Sequence, residues 1–233
     1  MGNSELRMKA LAKVKDKNFS VLSAAAYAIA ALALLAADIT GIMLLDAAIM
    51  LLVSLAVGLI SGAGYIKVSM GMWRQAKGGF GELFSCYSSL DAIKRGALPA
   101  GVYAVMLMLF RYGVLSGIWY IALVSGIVCI VLHIAASWGG YAIEFESGSC
   151  PVKAFGNGLK LAVKNAGRIL EMKAYLYWWI AAAVAVTIVL CSGSLSGPFM
   201  ALVVFLVGLV CRWMVGAFIA LAEAGLAREA YRS

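Results

Sequence analysis

Charge is scarce in this chain, proline is rare, and histidine occurs once. Of 233 residues only 13% are charged and three are proline. An average soluble domain carries about 25% charged residues, so a water-soluble globular class is excluded. A single histidine, His133, cannot build a histidine-rich zinc site. The five cysteines, Cys86, Cys129, Cys150, Cys191 and Cys211, include no C-x-x-C pair. They read as small apolar residues, and no metal or cofactor is expected. G-x-S-x-G is missing too, since "GVLSG" and "GSLSG" both misplace the serine. "AKGGFG" is glycine-rich but lacks the spacing of a phosphate-binding or dinucleotide loop. With no catalytic set, an enzyme is not expected.

What the chain does have is apolar length. Hydrophobic residues make up 64% of it, in solid runs such as "ALVVFLVGLV" and "IAAAVAVTIVL". Several runs reach the ~20 residues that cross a bilayer core. The short alternating segments of a membrane β-barrel are not seen. The class is therefore all-α, a polytopic membrane helical bundle. Six transmembrane spans are predicted, at 19–37, 42–66, 97–112, 117–143, 174–191 and 198–222. The first exceeds a signal-peptide core and reads as an uncleaved helix. "MGNSEL" does not fit the myristoylation pattern, because Leu6 stands where Ser or Thr is needed.

The net charge of +8 is placed unevenly. Lys and Arg gather before the first span, after even-numbered spans and at the C-terminus, including Arg7, Lys13, Lys67, Arg95, Lys164 and Arg228. The loops near 38–45 and 192–197 carry none. This is the positive-inside pattern. It predicts a multi-pass protein of the cytoplasmic (inner) membrane with both termini cytoplasmic. Anionic inner-leaflet lipid is the expected partner. Nucleic acid is not, for want of a recognisable binding module.

Two inner connections of about 30 residues are long enough to hold structure. In the second, Val152, Phe155, Leu159, Val163, Ala166, Ile169 and Leu170 recur at helical spacing. Lys153, Lys160, Lys164 and Arg168 form its basic face and are the candidate lipid-surface contacts. In the first, Phe80, Leu83, Phe84, Tyr87, Leu90 and Ile93 or Lys94 trace a similar stripe. "ELRMKALAKVKDK" is a third, basic, amphipathic candidate.

"GAGYI", "WGGYA" and "VGAFI" each close an even-numbered span. Their aromatics Tyr65, Tyr141 and Phe218 lie 76 and 77 residues apart. Tyr27, Tyr103 and Trp179 recur at 76. Both sets predict a threefold repeat of amphipathic helix plus transmembrane hairpin, at 3–68, 78–146 and 150–225.

Among polar residues in the spans, Arg212 stands about ten residues, or ~15 Å, from the inner end of the last one. An arginine there costs at least ~2.5 kcal/mol. Two readings stay open. Arg212 faces the bundle interior and binds an anion, or it snorkels or bonds to carbonyls and serines such as Ser54, Ser61, Ser125 or Ser137. His133 lies at comparable depth, and the two form the candidate intramembrane polar site. Arg111 reads as an interfacial anchor within reach of Asp46. Glu144, Glu146 and Glu223 are expected in interfacial ion pairs. "GLISG" and "GVLSG" permit close helix contact, inside the bundle or in a homodimer.

Three stretches carry a family resemblance: "ELRMKALAKVKDKNFSVLSAAAY", "MWRQAKGGFGELFSCY" and "YAIEFESGSCPVKAFGNGLKLAVKNAGRILEMKAYLY". They resemble an uncharacterised group of bacterial six-span membrane proteins. That group is similar to the membrane domain attached to some glycerophosphodiester phosphodiesterases. The resemblance implies the six-span fold and transfers no catalytic residue. This sequence holds no soluble phosphodiesterase domain, so that activity is not implied.

Two functions follow. The first is a non-catalytic membrane helper, scaffold or regulator whose basic inner helices contact anionic lipid or a partner protein. The alternative is a transporter or lipid-handling protein with a polar site around Arg212 and His133. A membrane-embedded enzyme would need a clustered nucleophile, base or metal site. A closed bundle favours the first function and a cavity containing Arg212 the second.

Overall fold

The computed structural model describes residues 2–14, 17–35, 42–74, 79–113, 118–174, 178, 206–207, 209–210 and 212–232. Among these residues the secondary structure is entirely helical. Three helical stretches are long and apolar enough to cross a membrane: Leu44–Trp73, Leu90–Tyr112 and Leu123–Phe145. They match the second, third and fourth predicted spans and mark the chain as a membrane protein. The first prediction meets α2 (Lys17–Leu35), whose apolar core is Phe19–Ala31. Nearly all of the fifth predicted span and the first part of the sixth lie outside the described residues.

The second span is continuous but not uniform. It runs through α3 (Met43–Val57), a π-helical turn at Gly58–Gly64 and α4 (Tyr65–Trp73). A second π turn at Arg212–Gly216 leads into α10 (Ala217–Ala230). A π turn widens the helix by one residue and breaks the ordinary bond pattern. Three glycines, Gly58, Gly62 and Gly64, stand in the first such turn. A side chain at Gly58 would strike the backbone of Ala100, so this turn lies directly on the neighbouring helix. The "GLISG" spacing thus serves internal packing.

The connection between the second and third predicted spans departs from the predicted stripe. It holds a one-turn α5 (Phe80–Leu83) and a 3-10 turn at Ser85–Tyr87. The next helix, α6 (Leu90–Tyr112), starts seven residues before the predicted span, so Leu90 and Ile93 belong to it. The reason is local. Ser89 is extended and its side chain accepts from the Ala92 amide at 3.1 Å, a standard N-cap. That cap starts a new helix and ends the old periodicity. After α7 (Trp119–Phe145), the second connection forms α8 (Pro151–Lys164), and a further helical stretch, α9, covers residues 166–174. Pro151 at the first turn suits a helix start, where its missing amide is not needed.

Each surface helix rests on the end of a different long helix. α1 (Asn3–Val14) packs on α10, α5 and its 3-10 turn pack on the first π turn and α4, and α8 packs on α7. The contacts are close. Gly64 has no room for a side chain against the Leu83 carbonyl, nor Gly158 against that of Trp138. α1 buries Leu6 and Ala10 completely. Removing Leu6 from water contributes about 1.5–3 kcal/mol to holding this basic helix in place. The main core gathers around α10 with Phe19, Tyr65, Trp73, Trp138 and Tyr141, and a smaller one joins Ala30, Met50, Val57 and Leu107.

Candidate functional site

A polar cavity of about 30 Å³ lies where α4, α6, α7, α10 and both π turns meet. Its polar walls are Ser61, Tyr65, Tyr103, His133, Ser137, Tyr141 and Glu223. The π turns place Ser61 and Gly62 on one side and Gly216 on the other. Irregular backbone at membrane depth needs substitute partners for its polar groups, and the Tyr65 hydroxyl supplies one for the second π turn. Tyr65 donates to the Gly216 carbonyl and Tyr141 to that of Ala220, each at 3.4 Å. Ser61 donates to Ala26 at 2.7 Å and so ties the first π turn to α2. Ser137 donates to the His133 carbonyl at 2.9 Å. Four hydroxyl hydrogens are thereby committed to backbone, and the wall is rich in oxygen acceptors.

Glu223 closes the cavity. Lys173 donates to its Oε2 at 3.0 Å, and both side chains are buried, at 5% and 4% exposure. Among the described residues, no group gives a hydrogen bond to the buried Glu223 Oε1. The sequence placed Glu223 in an interfacial ion pair. The pair exists, but it is sunk in the core. Burial makes each partner dependent on the other, because an isolated buried charge is very costly. About two waters fit in the cavity, and Oε1 is an acceptor they can satisfy.

His133 therefore lies in the predicted polar region, half-buried and on the cavity wall. The backbone of Arg212 opens the second π turn, while its side chain lies outside the described part of the structure. Tyr65, Tyr103, Tyr141, Ser137 and Lys173 were not singled out as site residues. The aromatic spacing of the repeat is the signal available for the three tyrosines. Ser137 gives its hydrogen to a carbonyl, so it is not poised against the imidazole as a nucleophile would be. Among the described residues no three His, Cys, Asp or Glu side chains cluster to hold a metal ion.

A second cavity, of about 180 Å³, is lined by Lys67, Arg95, Glu144 and Cys86. Burial pushes the Cys86 thiol up in pKa, against the opposing pull of Lys67. That thiol stays protonated and unreactive. Glu146 accepts both carboxylate contacts from Asn157 on α8, at 3.1 and 3.2 Å.

On the candidate lipid surface, Lys153, Lys160 and Lys164 are exposed along α8. Arg168 is half-buried and engaged with Glu229 at 3.3 Å and Asn3 Oδ1 at 3.2 Å. It joins α9 to α1 and α10. Asp46 is buried in the first turn of α3, and Arg111 sits in the last turn of α6.

No protein-family model matches the chain, and no curated protein or solved structure matches it either.

Proposed function

We propose that the chain is a non-catalytic helper or scaffold of the inner membrane, with six spans and both termini inside. Its basic inner surface contacts anionic lipid or a partner protein. One observation carries this reading. α8 buries a stripe of small residues, Ala154, Gly158 and Ala162, and turns Lys153, Lys160 and Lys164 outward. The cations are thus held in a fixed array, where each contributes about 1 kcal/mol near an anionic leaflet.

The threefold repeat belongs to the same proposal. The surface helix of each unit lies on the end of the preceding unit, and α1 on α10 closes the ring. Tyr65 and Tyr141 reach the carbonyls two residues before and two residues after Phe218. The first π turn ends one residue before the landmark Tyr65, and the second ends two residues before Phe218. The bacterial six-span resemblance fits this arrangement.

Purification in native nanodiscs, with mass spectrometry of everything retained, tests the reading. A stoichiometric protein or anionic lipid that is lost in the Lys153→Gln/Lys160→Gln/Lys164→Gln variant is the expected result. Retention unchanged in that variant would remove the basic surface from the account.

A second reading rests on Glu223 Oε1 and the cavity beside His133. There the protein handles a small polar guest between the spans. The volume of about 30 Å³ restricts that guest to water or a small ion unless the helices part. Binding of a small ion that survives in the α8 variant and is lost in His133→Leu would favour this reading over the first.

A further inference from the structure

A cleft of about 330 Å³ opens at the seam between α1 and α10. Lys9 and Lys13 line it from α1, Arg228 from α10 and Arg232 from the residues just beyond. Trp73 and Gly225 complete it. The Trp73 indole occupies the space a side chain at Gly225 would need, so the two surfaces are flush. Lys13 is held over this floor. Its ammonium stands 5.6 Å from the Trp73 ring and reaches the Met72 carbonyl at 3.5 Å.

The charges in the cleft do not balance. Among the described residues Glu229 is its one lining carboxylate, and Arg168 engages it from outside. Lys9 is bridged to Glu5 at 2.9 Å. Among the described residues, Lys13, Arg228 and Arg232 have no carboxylate within 4.0 Å. The C-terminal end of α10 adds about half a negative charge, far less than the three cations left without a carboxylate. Two guanidinium forks and two ammonium groups around an indole match the tetrahedral oxygens of a phosphate.

We infer that this cleft binds a phosphate-type anion, carried on a lipid headgroup or free in solution. Where the anion is lipid, the inference rests on the lipid-contact reading above, at a site separate from the α8 array. The bound anion joins α1 directly to α10, two helices that Arg7–Glu171 and Arg168–Glu229, both at 3.3 Å, otherwise link by way of α9. It therefore stabilises the closure of the ring.

The test uses the full chain in nanodiscs of phosphatidylcholine alone and of phosphatidylcholine with phosphatidylglycerol. Inorganic phosphate is titrated against chloride at matched ionic strength, reading the melting temperature and tryptophan emission. Lipids retained are counted by native mass spectrometry. Phosphate, and not chloride, is expected to raise the melting temperature, or phosphatidylglycerol to be retained. The Arg228→Gln/Arg232→Gln variant is expected to weaken the effective ligand about tenfold. The Lys94→Gln variant, at an exposed lysine outside both the cleft and the α8 array, leaves it unchanged. A response to inorganic phosphate assigns the free anion. Retained phosphatidylglycerol with no phosphate response assigns the headgroup. No response to either, or full binding in the cleft variant, overturns the inference. If only the α8 variant loses lipid, the basic-surface reading stands and the cleft falls. Should the double arginine variant fail to fold, Lys13→Gln carries the same comparison.

Discussion

α8 and α10 are both fourteen residues long, and they solve opposite problems. α8 lies on the surface and buries three small residues, so one narrow stripe holds it to α7. α10 is enclosed, with Ile219 through Ala227 buried without a break. A charged residue on α8 meets solvent and needs no partner. A charged residue in the middle of α10 needs one, and Glu223 has Lys173. The same residue type is thus nearly free on one helix and decisive on the other.

Removing one partner of the buried pair breaks this comparison most sharply. Lys173→Ala leaves Glu223 uncompensated and is expected to destabilise the protein by about 3–5 kcal/mol. Thermal unfolding in detergent reads it. The Lys173→Met/Glu223→Leu double variant is expected to recover most of that loss. If Lys173→Ala melts like wild type, the pair does not carry the stability assigned to it.

On α8 the sensitive positions are small residues, not charges. Gly158→Val places a side chain against the Trp138 carbonyl and is expected to cost about 1–3 kcal/mol through overpacking. Faster proteolysis within 151–164 would report the loosened helix. By contrast, Lys160→Ala is expected to change stability by less than about 0.5 kcal/mol while lowering retention of anionic lipid.

The smallest effect concerns pH. Burial, and then the Glu146 carboxylate, push Tyr231 from the ordinary value of 10.0 up to about 12. The folded state keeps its proton in that window while the unfolded chain releases it. Stability is therefore lost as pH rises from 10.0 toward about 12, with the full contribution present below 10.0. Tyr231→Phe should flatten this slope in alkaline melts.

Much of the fold was legible because apolar length is a strong signal. Three predicted spans recur as helices, with ends displaced by several residues. On α8 the exposure of Lys153, Lys160 and Lys164 was legible, but the buried stripe is Ala154, Gly158 and Ala162, while the predicted apolar Val152 and Val163 are exposed and Arg168 is half-buried on α9. The stripe across 80–94 misled because residues on two short turns and a new helix happened to share one spacing. At the candidate site, His133 was visible as a lone polar residue in a span. Glu223 was visible only as an end-of-span charge, since nothing local says that residue 173 returns to cover it.

Composition and the length of the apolar runs determined the class of this protein, because both follow from how each segment partitions between water and an apolar medium. Tertiary structure alone decided that the Glu223–Lys173 pair is buried, that two π turns border one cavity, and that Lys9, Lys13, Arg228 and Arg232 share a cleft. Those facts depend on contacts between residues far apart in the chain, and segment partitioning carries no information about which helix meets which.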